Sequence, residues 1–144
     1  IVFILQKMIQ CMSRYEKLLH MLMDYEPTII LTAISDTSGN IIWNTVRDDS
    51  EIKIPLPEIK KTLVRESSDW INRCKIEDSD DLGRAMYHIA SFQKVKQVTI
   101  PLDAFHMLLI YVDNTPLKKT KSYGRYVQMG KIMSIVDFVN TFEE

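Results

Sequence analysis

Residues 84–113 read RAMYHIASFQKVKQVTIPLDAFHMLLIYVD, three strand-like runs with almost no room between them. Tyr87, Ile89, Phe92, Val95, Val98, Thr99, Ile100, Tyr111 and Val112 are β-branched or aromatic, the types that suit a pleated, half-buried surface. The breaks near Gln93 and Asp103 are short enough for hairpins, so the three strands are expected to run antiparallel. Phe105 to Val112 is apolar at nearly every position, which marks a strand covered on both faces and therefore a central one. Arg84 to Phe92 carries Arg84, His88 and Ser91 among its apolar residues and reads as lying nearer an edge.

Upstream, Ile29 to Ile34 (IILTAI) is a second strand apolar on both faces, followed by Asp36-Thr37-Ser38-Gly39-Asn40 and the strand Ile41 to Val46. Gly39 and Asn40 tolerate positive φ, and Asp and Ser side chains bond nearby amides, so this pair is expected to be a hairpin. Before it, Ile1, Ile4, Met8, Cys11, Tyr15, Leu18, Leu22 and Tyr25 recur in steps of three and four, a helical stripe. Ser13, with Glu16 three residues on, caps a helix that Pro27 stops, predicting Ser13 to Tyr25 as helix and residues 1–12 as an extension of it or as loose chain. Glu58 to Cys74 has Ile59, Leu63, Trp70 and Cys74 on one stripe behind Pro57, and Ser122 to Phe142 has Val127, Ile132, Ile135, Val136, Val139 and Phe142. Gly130, inside that last helix, predicts close packing against a neighbour.

With 144 residues, 46% hydrophobic and 26% charged, the chain has the size and composition of one globular domain. The expected division is an N-terminal extension, residues 1–12, and a single domain, residues 13–144. A formal charge of −1 and the lack of an aromatic ladder on exposed strands argue against a nucleic-acid partner, although Lys94, Lys96, Lys118, Lys119 and Lys121 with Tyr123 and Tyr126 are the best case for one. The leading run IVFIL is far too short to span a membrane. Cys11 and Cys74, widely separated and outside any CxxC, read as reduced thiols of a cytoplasmic protein.

Catalytic signatures are missing from the sequence. His20, His88 and His106 fall in different elements without HxxxH or HExxH spacing, and no serine stands in a GxSxG elbow. Asp48, Asp49 and Glu51 lack the spacing of a calcium loop, and the lone Gly39 leads into a strand, unlike a phosphate loop. No cofactor or metal is expected, and no enzymatic activity.

The order helix, strand, strand, helix, strand, strand, strand, helix, with a first hairpin turning at Asp36 to Gly39, resembles the Roadblock domain of dynein light chains and bacterial MglB proteins. Leu82-Gly83, Tyr87, Lys94-Val95-Lys96, Thr99-Ile100-Pro101-Leu102, and Leu108-Leu109 leading to Asp113 carry the likeness, which is nearer still to small Roadblock-like proteins of ammonia-oxidising archaea. The resemblance implies an α+β fold, α-β-β-α-β-β-β-α, with a five-stranded antiparallel sheet in the order 2-1-5-4-3 and helices on both faces. It also implies a non-enzymatic module that forms a homodimer and engages a small GTPase or a larger scaffold. A small-ligand sensor of profilin or PAS-like type is the alternative, and needs a pocket between helix and sheet.

Two strands apolar on both faces require cover on both sides, so the terminal helices are expected on one face and the Pro57 to Cys74 helix on the other. The edge strand Arg84 to Phe92 has no proline and no repeated lysine to block it. It therefore predicts a homodimer through Met86, His88, Ile89 and Ala90, with Leu63 and Trp70 of the helix burying their exposed sides across the twofold axis.

Overall fold

The computed structural model describes residues 13–77, 83–115 and 128–141, with the backbone alone for residues 71–77. Its elements follow the expected order: α1 (Arg14–Tyr25), β1 (Ile29–Asp36), β2 (Ile41–Val46), α2 (Leu56–Glu77), β3 (His88–Ser91), β4 (Val95–Pro101), β5 (His106–Asp113) and α3 (Met129–Asn140). The strands form one sheet in the order β2-β1-β5-β4-β3, antiparallel at every pairing. β1 and β5 are joined across the middle from Ile29 opposite Val112 to Asp36 opposite His106.

Ser13 caps α1, its hydroxyl accepting from the Tyr15 amide at 3.1 Å. The helix then buries Tyr15, Leu18, Leu19 and Leu22, the second half of the predicted stripe; the first half, residues 1–12, lies outside the described residues. α2 starts earlier than expected because the Pro55 carbonyl accepts from Glu58 and Ile59, leaving Pro57 in the first turn, where a missing N–H goes unfelt. α3 buries Met129, Ile132, Val136 and Val139. Its predicted start at Ser122 lies outside the described residues, as do Val127 and Phe142.

Both faces are covered as anticipated. Leu18, Leu22, Ile132 and Val136 of α1 and α3 pack on Ile34, Val98, Leu108 and Ile110. On the opposite face, Ile59 and Leu63 of α2 pack on Leu31, Ala33, Leu109 and Tyr111. Alternate residues of β5 serve the two clusters, which is why its sequence has no polar side.

Two expectations are corrected. β3 has four residues, and Arg84 to Tyr87 are not strand. The ladder pairs His88 with Thr99, so continuing it two residues would set Met86 opposite Pro101, which has no N–H to give. Gly130 does not mark a close approach: a side-chain carbon there would meet nothing within 4 Å. Gly39 does mark one. At φ +86° it turns the β1–β2 hairpin, and an added Cβ would lie 2.9 Å from the backbone of Val64 in α2.

Candidate functional site

The candidate site is the outer side of β3 with the flank of α2 beside it. Phe92 donates its amide to Val95 at 2.8 Å, so strand alternation turns the amides of His88 and Ala90 toward β4 and those of Ile89 and Ser91 outward. Asn114 holds this hairpin, donating to the Phe92 carbonyl at 2.6 Å and the Ser91 hydroxyl at 3.2 Å. Met86 is 45% exposed and Ile89 37%, while His88 and Ala90 are half-buried on the α2 side. Phe92, at the end of the expected edge strand, is exposed as well, and exposed Tyr87 extends the apolar surface beyond the residues expected from sequence.

Leu63 and Trp70 do not join this surface. Leu63, pressed onto the sheet, is 0% exposed and Trp70 4%, so both are already covered within the monomer. Their burial overturns the expectation of exposed sides awaiting a second copy. Glu66 takes their place beside the edge: its carboxylate is buried, with His88 Nδ1 at 3.6 Å and an Arg65 guanidinium nitrogen at 3.8 Å. Behind it, Gln97 Nε2 donates to the Tyr111 hydroxyl at 3.0 Å and that hydroxyl donates to Thr62 at 3.1 Å, an internal polar layer under α2. Burial raises the Tyr111 hydroxyl above its usual pKa, so it stays a donor at neutral pH.

A second polar group joins residues distant in sequence. The Asp103 carboxylate accepts from the Tyr15 hydroxyl and from the Phe105 amide at 2.7 Å, and has His106 Nδ1 at 2.9 Å. Burial works against ionisation there, yet the bonds from Tyr15, Phe105 and His106 hold Asp103 below its usual range, while burial and then the Asp103 bond push Tyr15 up. With its carboxylate engaged on three sides, the group fastens the start of α1 to the β4–β5 turn.

A pocket of about 90 Å³ lies between α3 and the approach to β3, lined by Arg84, Met86, Leu102, Met133, Val136 and Asp137. Among the described residues no group of three or more His, Cys, Asp or Glu is placed to hold a metal, and no described helix is long and apolar enough to cross a membrane.

Solved structures share this architecture. The gliding protein MglB of Thermus thermophilus matches at TM-score 0.62 and 9% identity, over 89% of this chain and 84% of that one. It is a Roadblock fold. A Roadblock/LC7 domain from Streptomyces avermitilis matches at TM-score 0.58 and 9% identity, over 85% and 88% of the two chains. An MglB with a tetrameric arrangement matches at TM-score 0.60 and 11% identity, over 90% and 86%. No family model and no curated protein sequence matches the chain, so the likeness is one of fold, and the nearer kinship with archaeal Roadblock-like proteins has no sequence match behind it.

Proposed function

We propose that the protein is a non-enzymatic, cytoplasmic interaction module that forms a homodimer through β3 and offers the assembled surface to a small GTPase or a larger scaffold. The observation that carries this reading is the outward row of backbone groups on β3, set among exposed Met86, Tyr87, Ile89 and Phe92 and unblocked by proline or lysine. Residues paired across an antiparallel ladder share a face, so a twofold axis normal to the sheet must fall on a residue. Centring it on Ile89 pairs Ile89 with its own copy and Ser91 with the other copy's Tyr87, which uses the outward amides on both strands. The two sheets then continue as one, and the two α2 helices meet above the axis with Glu66 and His88 near the seam.

The Roadblock resemblance supplies the GTPase or scaffold as partner, and the tetrameric arrangement of one MglB neighbour supports self-association as a property this fold accommodates. Light scattering at micromolar concentration tests the first half: a dimer is expected, stable to high salt because apolar burial is little screened. A monomer overturns it. Affinity capture from the source cell with and without added GTP tests the second half. A GTPase retained in a nucleotide-dependent way is the expected outcome.

A further inference from the structure

The opposite edge of the sheet is open too. β2 pairs with β1 on its inner side, and among the described residues no backbone bond reaches its outer side. Arg47 donates its amide to Ile30 at 2.9 Å, so alternation turns the amides of Asn44 and Val46 away from β1, while a bulge opposite Ile34 and Ser35 leaves Ile42 out of the β1 ladder. The side chains of Ile42, Asn44 and Val46 are exposed, Ile42 at 43% and Val46 at 47%, and those of Asn44 and Val46 lie on the face that carries α2. The strand reads IIWNTV, six residues with high strand propensity and with no charge, proline or glycine.

Its two ends are acidic. Asp36 stands at the turn that feeds β2, and Asp48, Asp49 and Glu51 follow its last residue. Two cations share the far end with their heads held at main-chain oxygens, Arg47 donating to Met23 at 2.7 Å and Ile29 at 2.8 Å and Lys53 to the Asp48 carbonyl at 2.6 Å, so the three carboxylates there leave a net negative charge. Antiparallel pairing of β2 with a second copy, centred on Asn44, would bring Asp48 and Asp49 of each chain to the turn of the other that carries Asp36, like charge toward like charge. A strand with an apolar middle and basic ends meets charges of opposite sign at both ends.

We propose that the outer edge of β2 binds an extended segment of another protein, apolar in its middle and basic at its ends, as a sixth strand of the sheet. Main-chain bonds to Asn44 and Val46 supply the affinity, and the flanking carboxylates choose the sequence. The site lies across the sheet from β3 and stands independently of self-association there.

The probes are two synthetic peptides, Lys-Lys-Val-Thr-Val-Thr-Val-Lys-Lys and the same peptide with Glu at its four charged positions, titrated into the full chain labelled with nitrogen-15. The Lys-ended peptide is expected to shift the amide signals of Asn44 and Val46 saturably and to protect them from hydrogen exchange. The Glu-ended peptide should bind at least about tenfold more weakly, and the difference should shrink with salt. Asn44→Pro removes an outward donor without touching the β1 ladder and should abolish the response, and Ile42→Lys should do the same if the proline variant fails to fold. The proposal is overturned by the absence of a saturable response at millimolar Lys-ended peptide, by equal binding of the two peptides, or by a response unchanged in Asn44→Pro and Ile42→Lys. A change of oligomeric state in Asn44→Pro without peptide also overturns it, because the occupant would then be a second copy.

Discussion

The two edges of one sheet present the same backbone chemistry in different settings. β3 is four residues long, cut short opposite Pro101, and stands among exposed apolar side chains with the Glu66 and His88 pair on one flank. β2 is six residues long, neutral, and closed at both ends by carboxylates. Unpaired amides make either edge available, while the ends and flanks choose what sits on it. A short apolar edge suits its own copy, and a longer edge between acidic ends suits a foreign basic strand.

Four changes test that contrast, in descending order of consequence. Leu63→Ala removes a fully buried side chain that belongs to neither edge, so it should cost about 2–5 kcal/mol of unfolding free energy. Chemical denaturation gives that number, and light scattering should still find the dimer; a monomeric but well-folded variant would return Leu63 to the interface. Ile89→Pro removes one outward donor from each copy, which at about 1.5 kcal/mol apiece weakens self-association about 100-fold. Sedimentation measures it, and the amide signals of β2 should not move. If they do, the two edges are coupled and the contrast between them fails.

Gly39→Ala comes next. Its φ of +86° and the 2.9 Å approach to the Val64 backbone predict a loss of about 1–3 kcal/mol. The loss should appear as faster hydrogen exchange in β2 while β3 stays protected, and uniform loosening of the whole sheet would contradict a local role. The smallest effect is acid sensitivity. The Asn40 side chain and amide, with the amides of Ser38 and Gly39, hold the Asp36 carboxyl below its ordinary value of 3.8. A depressed carboxyl contributes stability above its unfolded pKa and loses it as pH falls through the folded one. The exchange protection of the Ser38 and Asn40 amides should therefore fade below about pH 3.8, and it should show no such step in Asp36→Asn. Protection that is level through this range would separate the turn from its carboxylate.

Much of this architecture was legible because it is local. Turn residues located the hairpins, steps of three and four the helices, and unbroken apolar runs the two-sided burial of β1 and β5. Strand order came from the Roadblock resemblance, since nothing within β1 or β5 says that they pair. The true length of β3 depends on Pro101 in the neighbouring strand, and no reading of residues 84–92 alone would find it. The Leu63 and Trp70 stripe announces a buried face without saying what buries it, which is how core residues read as an interface. Tyr15, Asp103 and His106 lie in three elements and meet only after folding.

The β1–β5 ladder has a kinetic consequence. The β1–β2 hairpin and the β3–β4–β5 meander are each built from neighbours in sequence, and the helices cannot bury their stripes until the two halves join. That joining sets Asp36 against His106 and Ile29 against Val112, closing a loop that contains α2, so its closure entropy falls before any reward from the core. Folding speed should therefore be governed at this seam. Substitutions along Ala33 and Leu109 should slow refolding, whereas substitutions at either outer strand should mainly hasten unfolding.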